Sequence, residues 1–359
     1  MHKSTYMRKI SLILSIDYEL FGDGSGNVIR EQVIPTNNLM DVCELNDAKI
    51  TCFIEMGQFF FYQDHSNKFP ELQESNELIL NQIKDLIRRG HDVQFHYHPT
   101  WFNATISSSG KIELDLELYD ISQLKIADQI QILKRGKTFL ENELKEINPT
   151  YSCIAFRAGA LTVGDQKSFS KILRDTGYKI ETSVTLHAHS DAIYGNFDYR
   201  QFPQGNPFWY FSDNFQQLDN QGALLQIPIL GEKAFLAARK YKNFKYSRSR
   251  TISNKFYKTR ISERNLNVVG KFMRIINRDY YFADFNNLQA ETLLKMISTH
   301  VDNCDDSFNN IPIMLIGHSK SCYFNDDLHI LFSNLAELEY DVSYETISTF
   351  YHKIQKPVI

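Results

Sequence analysis

The chain has 359 residues, of which 43% are hydrophobic and 23% charged, ample for one sizeable core or one barrel domain carrying an insertion. A formal net charge of −4 predicts ordinary solubility and singles out no class of partner. The apolar run at 10–16 is too short to span a membrane, and the Asp17-Tyr18-Glu19 that follows excludes a secretory segment, so the expected location is the cytoplasm.

Taken in order, short apolar runs alternate with helical patterns, the rhythm of βα units around a mainly parallel sheet. A first strand is expected over 10–16, a helix opened by Thr36-Asn37-Asn38 runs to Leu45, and a second strand covers 50–54. Residues 77–89 place apolar side chains three and four apart and are stopped by Gly90. A third strand begins at His91 and runs into the loop at His98-Pro99. A long helix follows over 123–144, then a strand over 151–156, a helix over 166–177 and a strand over 178–185. Two later strands are expected over 224–230 and 313–317, with a closing helix at 326–334 and a closing strand at 340–351. Residues 233–278 break this rhythm. They are rich in Lys and Arg with Glu263 as their internal acid, and they are too short to own a core, so they read as a basic insertion within a single domain spanning 1–359. The five cysteines stand singly with no CxxC pair, which suggests a reducing compartment; Cys52 and Cys153, inside apolar runs, read as small buried hydrophobes.

Polar clusters fall at the ends of several of these strands, where parallel α/β sheets gather their active sites. Asp17 and Glu19, two apart in an extended segment, project to one side. One could hold a cation while the other takes a proton from water, although the pair alone reads equally well as a solvated strand end or a helix cap. His96 and His98 share the same spacing and suit Zn²⁺ or a similar ion. Taken alone, that pair is more simply one core and one loop histidine; beside the two acids it becomes a ligand set. His91, at the other end of its strand, reads as structural. Arg157 follows a buried run and needs an anion, for which a bidentate pair with Asp17 is the expectation. His318 could protonate a leaving amine or be an ordinary loop histidine.

These motifs, in this order, resemble the polysaccharide deacetylases (the NodB-homology fold, carbohydrate esterase family four), in particular members found among bacterial surface-polysaccharide genes. SLILSIDYE is similar to the family's first motif, ITCFIEMGQ to its second strand, GHDVQFHYHPTW to its metal motif, FRAGAL to its arginine motif, TGYKIETSV to a later strand and LIGHSK to its last motif. The resemblance covers nearly the whole chain outside the basic stretch and implies a distorted (β/α)7-type barrel. It implies Asp17 as general base, Glu19 and His96 as metal ligands, Arg157 as the partner of Asp17, and His318 as general acid. Two departures stand out. The first motif reads D-x-E where many members have D-D, and the position four after His96, where the second metal histidine usually stands, is Thr100. His98 is the replacement at hand; otherwise the site is impaired.

The expected activity is metal-dependent removal of an N-acetyl group from a sugar, free, nucleotide-linked, lipid-linked or polymeric, with Zn²⁺ as the expected ion. Trp101 and Trp209, the latter within the aromatic run 208–211, could stack on a sugar ring or pack in the core. The stretch 239–260, which interleaves Lys and Arg with Tyr and Phe, fits an anionic membrane surface, the phosphates of a sugar carrier, or a solvated helical face. Nothing else points to nucleic acid. Two rival readings remain: an amidohydrolase-type metal hydrolase, and a sugar-binding or assembly protein with a decayed site.

Overall fold

The computed structural model describes residues 8–192, 195–235, 240–242, 279–322 and 325–355. Its strands are β1 (Lys9–Tyr18), β2 (Ile50–Glu55), β3 (Asp92–Tyr97), β4 (Thr105–Ile106), β5 (Ile112–Glu113), β6 (Ala155–Ala158), β7 (Ile180–Glu181), β8 (His189–Asp191), β9 (Asn196–Asp198), β10 (Trp209–Phe211), β11 (Leu224–Gln226), β12 (Gly231–Ala234), β13 (Asp279–Phe282), β14 (Asn310–His318) and β15 (Asp341–Tyr344). The helices are α1 (Ile34–Glu44), α2 (Met56–His65), α3 (Pro70–Arg88), α4 (Ile126–Lys145), α5 (Gln166–Asp175), α6 (Ala290–Asn303), α7 (Asp326–Ala336) and α8 (Ile347–Gln355).

The main sheet runs β10-β11-β7-β6-β3-β2-β1-β14, with β15 beside the first half of β1. Seven consecutive members, β11 through β14, pair in parallel, and β10 is antiparallel at the edge. The sheet curls until its ends meet: Ile229, just past β11, bridges Thr185 on one side and Met314 of β14 on the other. This is the expected α/β class, a distorted seven-stranded barrel. Burial on both faces explains the unbroken apolar reading of the strands; in β1 every residue after Lys9 is buried.

Several elements depart from expectation. Helix α3 starts at Pro70, seven residues before the periodic run, because proline is pre-organised for a first helical position and Phe69 before it is extended. Helix α2 begins directly at the end of β2; residues 56–62 are all buried, so it shows no polar face for a periodicity argument to find. The ladder of β7 is only two residues long, since side chains intervene beyond it: Ser183 N–H donates to Glu181 Oε1 (2.8 Å) and Ala158 N–H to Ser183 Oγ (2.8 Å). The closing strand expected over 340–351 stops at Tyr344. Thr346 Oγ1 then accepts the Thr349 N–H (3.2 Å), starting α8.

At the floor of the barrel one buried amide links three segments. Gln94 Oε1 accepts the N–H groups of Ile154 (2.9 Å) and Ala155 (2.7 Å), while its Nε2 donates to Asp92 Oδ1 (2.9 Å) and Ser348 Oγ (3.0 Å). All five cysteines are buried and free. Strands β12 and β13 form an antiparallel pair ending at Ala234 opposite Asp279. The basic stretch they bracket lies outside the described residues apart from 240–242, where Lys240 pairs with Glu291 (2.7 Å) and Lys242 with Asp327 (3.4 Å). No described helix is long and apolar enough to cross a membrane.

Candidate active site

Parallel register carries the polar strand ends to one rim. Asp17 lies opposite His318 of β14 on one side and Phe53 of β2 on the other; Glu55 lies opposite His96, and His96 opposite Arg157. Residues as far apart in sequence as Asp17 and His318 thus meet.

Arg157 is fully buried. Its Nη1 donates to Asp17 Oδ1 (2.7 Å), but the expected bidentate pair does not form. Nη2 instead donates to Ser15 Oγ (2.9 Å) and faces Met314 Sδ (3.0 Å), and the guanidinium lies 4.0 Å from the Phe53 ring centre. The single contact leaves Asp17 Oδ2 turned toward His318 Nε2 (3.9 Å) and His96 Nε2 (4.0 Å). Burial pushes the Asp17 pKa up, but Arg157, then His96 and His318, outweigh it and hold the carboxyl below its ordinary value.

Glu19 follows β1 directly. Its Oε2 lies 2.8 Å from His98 Nε2 and 3.3 Å from His96 Nε2. Burial raises its pKa, yet Lys320 and His98 prevail and keep it well below the ordinary range. His96 Nδ1 lies 3.0 Å from the Arg157 carbonyl, which fixes the ring by a donated N–H and turns Nε2 into the site. Burial lowers the His96 pKa, and Asp17 and Glu19 more than offset this, leaving it raised.

A fourth member, Glu55, adds to the three expected ligands. It ends β2 and caps α2: Oε1 accepts the Gly57 N–H (2.8 Å), and Oε2 accepts the N–H of His98 (2.9 Å), tying the second histidine's backbone to the site. Burial, reinforced by Glu19 though opposed by His98, raises its pKa to about 8. An acid closing an otherwise apolar strand was the available signal.

One donor atom each from Glu19, Glu55, His96 and His98 lies within 4.8 Å of the others. Carboxylate oxygens and imidazole nitrogens gathered this closely are a donor set for a divalent ion of the Zn²⁺ type, and the carbonyl behind His96 is the support such a ligand needs. Gly159 permits the arrangement, since a Cβ there would stand 2.5 Å from His98 Cγ. Thr100, in the short turn after His98, is not part of the donor set. His318 is partly exposed at the rim, and its backbone N–H donates to Asn286 Oδ1 (2.7 Å).

The two tryptophans lie elsewhere. Trp209 is 1% exposed and its Nε1–H donates to the Phe215 carbonyl (2.8 Å), so no face is left for a sugar: it packs in the core. Trp101 is also buried, against Phe61 and Tyr62. His91 sits at the floor, accepting the Ile50 N–H at Nδ1 (3.1 Å) with Nε2 3.0 Å from Glu44.

No protein-family model matches the chain, and no curated protein does. Among solved structures it is similar to a protein from Mycobacterium smegmatis described as a polysaccharide deacetylase, at 11% identity and a TM-score of 0.49, covering 99% of this chain and 93% of that one. It is similar also to the 4-alpha-glucanotransferase of Thermococcus litoralis (12%, TM-score 0.50, 97% of this chain and 41% of that one). A third is the Puue allantoinase (10%, TM-score 0.47, 98% and 93%). At 12% identity the likeness to the glucanotransferase bears on architecture and on nothing more. The curled α/β barrel rests on the chain's own sheet topology, and its chemistry on its own rim.

Proposed function

We propose that this chain is a metal-dependent hydrolase that removes the acetyl group from an N-acetylated sugar. One observation carries the reading: buried Glu19, Glu55 and His96 with half-buried His98 form a donor set beside an Arg157-held Asp17 and within 4 Å of a partly exposed histidine. Glu19, His96 and His98 would hold the ion, and Glu55 would support it through the His98 N–H. A divalent ion bound there, with Zn²⁺ the natural choice for this donor set, supplies Lewis acidity, easing deprotonation of water and stabilising charge on the acyl oxygen.

The remaining work falls to the side chains. Asp17, kept ionised by Arg157, accepts a proton from water through Oδ2 as the oxygen adds to the amide carbon. His318, on the solvent side, delivers a proton to the sugar nitrogen as the C–N bond breaks, and acetate and the free amine leave. The guanidinium keeps the buried base charged and aimed.

The test combines metal analysis with acetate release from N-acetylhexosamine substrates. About one tightly bound divalent ion per chain is expected; Asp17→Asn should retain the ion and lose turnover, and surviving turnover would remove the base assignment. A second reading, a sugar-binding protein with an impaired site, draws on Thr100, and a chain that takes up no ion even after reconstitution would favour it. We further propose that the chain is a single domain with residues 233–278 as an insertion carried on the β12–β13 hairpin. In this reading it acts in the cytoplasm in surface-polysaccharide biosynthesis, its basic stretch 239–260 resting on an anionic inner-membrane surface. Co-sedimentation with acidic vesicles that fades with salt would support that contact.

A further inference from the structure

Lys320 is the rim group that the chemistry above leaves unused. Its Nζ donates to Glu19 Oε1 (2.6 Å) and to the Leu20 carbonyl (3.0 Å). The preceding residue grips the same segment by its backbone: Ser319 Oγ accepts the Glu19 N–H and donates to the Glu19 carbonyl, each at 3.2 Å. The short turn Ser319–Ser321 thus holds residue 19 at three atoms. The two carboxylate oxygens are divided between different tasks, since Oε1 faces the lysine and Oε2 faces His98 and His96.

We propose that Lys320 is a positioning residue that engages one oxygen of Glu19 and reserves the other for the cation. The inference rests on the metal reading. A carboxylate can offer an ion one oxygen or both, and a second oxygen would take a place that a hydrolytic site must leave open for water and the acyl group. A charge-assisted bond at 2.6 Å, in a site screened from solvent, withholds that oxygen. The lysine also lies on the same carboxylate as the ion and repels it. Its loss should therefore leave metal affinity unchanged or tighter, which neither a ligand nor a simple structural prop would do.

The test is Lys320→Met, with Lys320→Gln as a second variant that keeps an N–H donor without the charge, both loaded with Co²⁺. Calorimetry should give the wild-type stoichiometry and an affinity no weaker than wild type for both. The visible absorption of the Met variant should lose intensity as the coordination number rises, and the Gln variant should fall between. Turnover of the Met variant should drop roughly 10–100-fold in kcat with KM little changed. An unaltered spectrum, or Co²⁺ binding weakened as by loss of a ligand, would overturn the role of the lysine alone. A wild-type chain that takes up no Co²⁺ would overturn the metal reading and this inference together. Uptake with the expected spectra but no deacetylation would support the lysine's role and count against the proposed activity.

Discussion

Replacing Arg157 by Met tests the rim through its stability. The substitution keeps much of the volume and the contact with Met314, but it deletes the bonds to Asp17 and Ser15. Asp17 is 4% exposed, and its nearest remaining charge partners are imidazoles at 3.9 and 4.0 Å. Stranding one member of a buried ion pair costs about 3–5 kcal/mol. At about 2.1 cal/mol/K per residue, 359 residues give roughly 0.75 kcal/mol per degree, so the cost becomes a fall of about 4–7 °C in Tm near neutral pH. The pH dependence should reverse as well. In the wild type the Asp17 pKa is lowered, so its contribution is present at neutral pH and lost as pH falls through the native pKa. In Arg157→Met burial dominates and raises that pKa, so the penalty grows as pH rises through the ordinary carboxylate range. Adding Asp17→Asn removes the stranded charge and should recover most of the loss. Calorimetric scans at several pH values suffice; a single variant as stable as the wild type, or a double variant no better than the single, would refute the argument.

Two further expectations concern Gly159 beside the site and His91 at the floor of the barrel. Gly159→Ala would push a methyl to within 2.5 Å of His98 Cγ and 2.8 Å of its Cα, so the second histidine must move. Metal affinity should fall roughly 10–100-fold in chelator competition with the fold intact by circular dichroism, and unchanged affinity would separate His98 from the ion. His91 has its pKa lowered to about 4, first by burial and then by Lys49, so folding favours the neutral ring. Its contribution is lost as pH falls from the unfolded value toward the native one, and between pH 7.5 and pH 5 this amounts to about 2 kcal/mol. Denaturant titrations should show His91→Gln missing that part of the slope, and parallel slopes would disprove the account.

The barrel class was legible because seven strands buried on both faces must read as apolar runs, and because their polar ends recur at one side. Asp17, Glu19, His96, His98, Arg157 and His318 could be named for the same reason: each follows or closes such a run. Glu55 also closes one, but the expectations drawn from sequence do not include it; the structure shows it capping α2 as well as facing the site. The tryptophans illustrate the converse. An aromatic run is compatible with a sugar platform or with a core, and only tertiary burial separates the two. That Arg157 would divide its donors between Asp17 and Ser15 was beyond sequence, because it depends on the angle at which β6 faces β1 across the barrel.

Gln94 bears on how accurately the opposite end is built. Its carboxamide takes the N–H groups of Ile154 and Ala155 one step before the β3–β6 ladder begins at Phe95 and Phe156. Sliding β6 by one residue would turn its side chains to the wrong face, and the floor amide makes that slip unfavourable before the chain reaches the mouth. The alignment of imidazole with guanidinium is therefore indexed from below, like a vernier whose zero lies far from the scale being read.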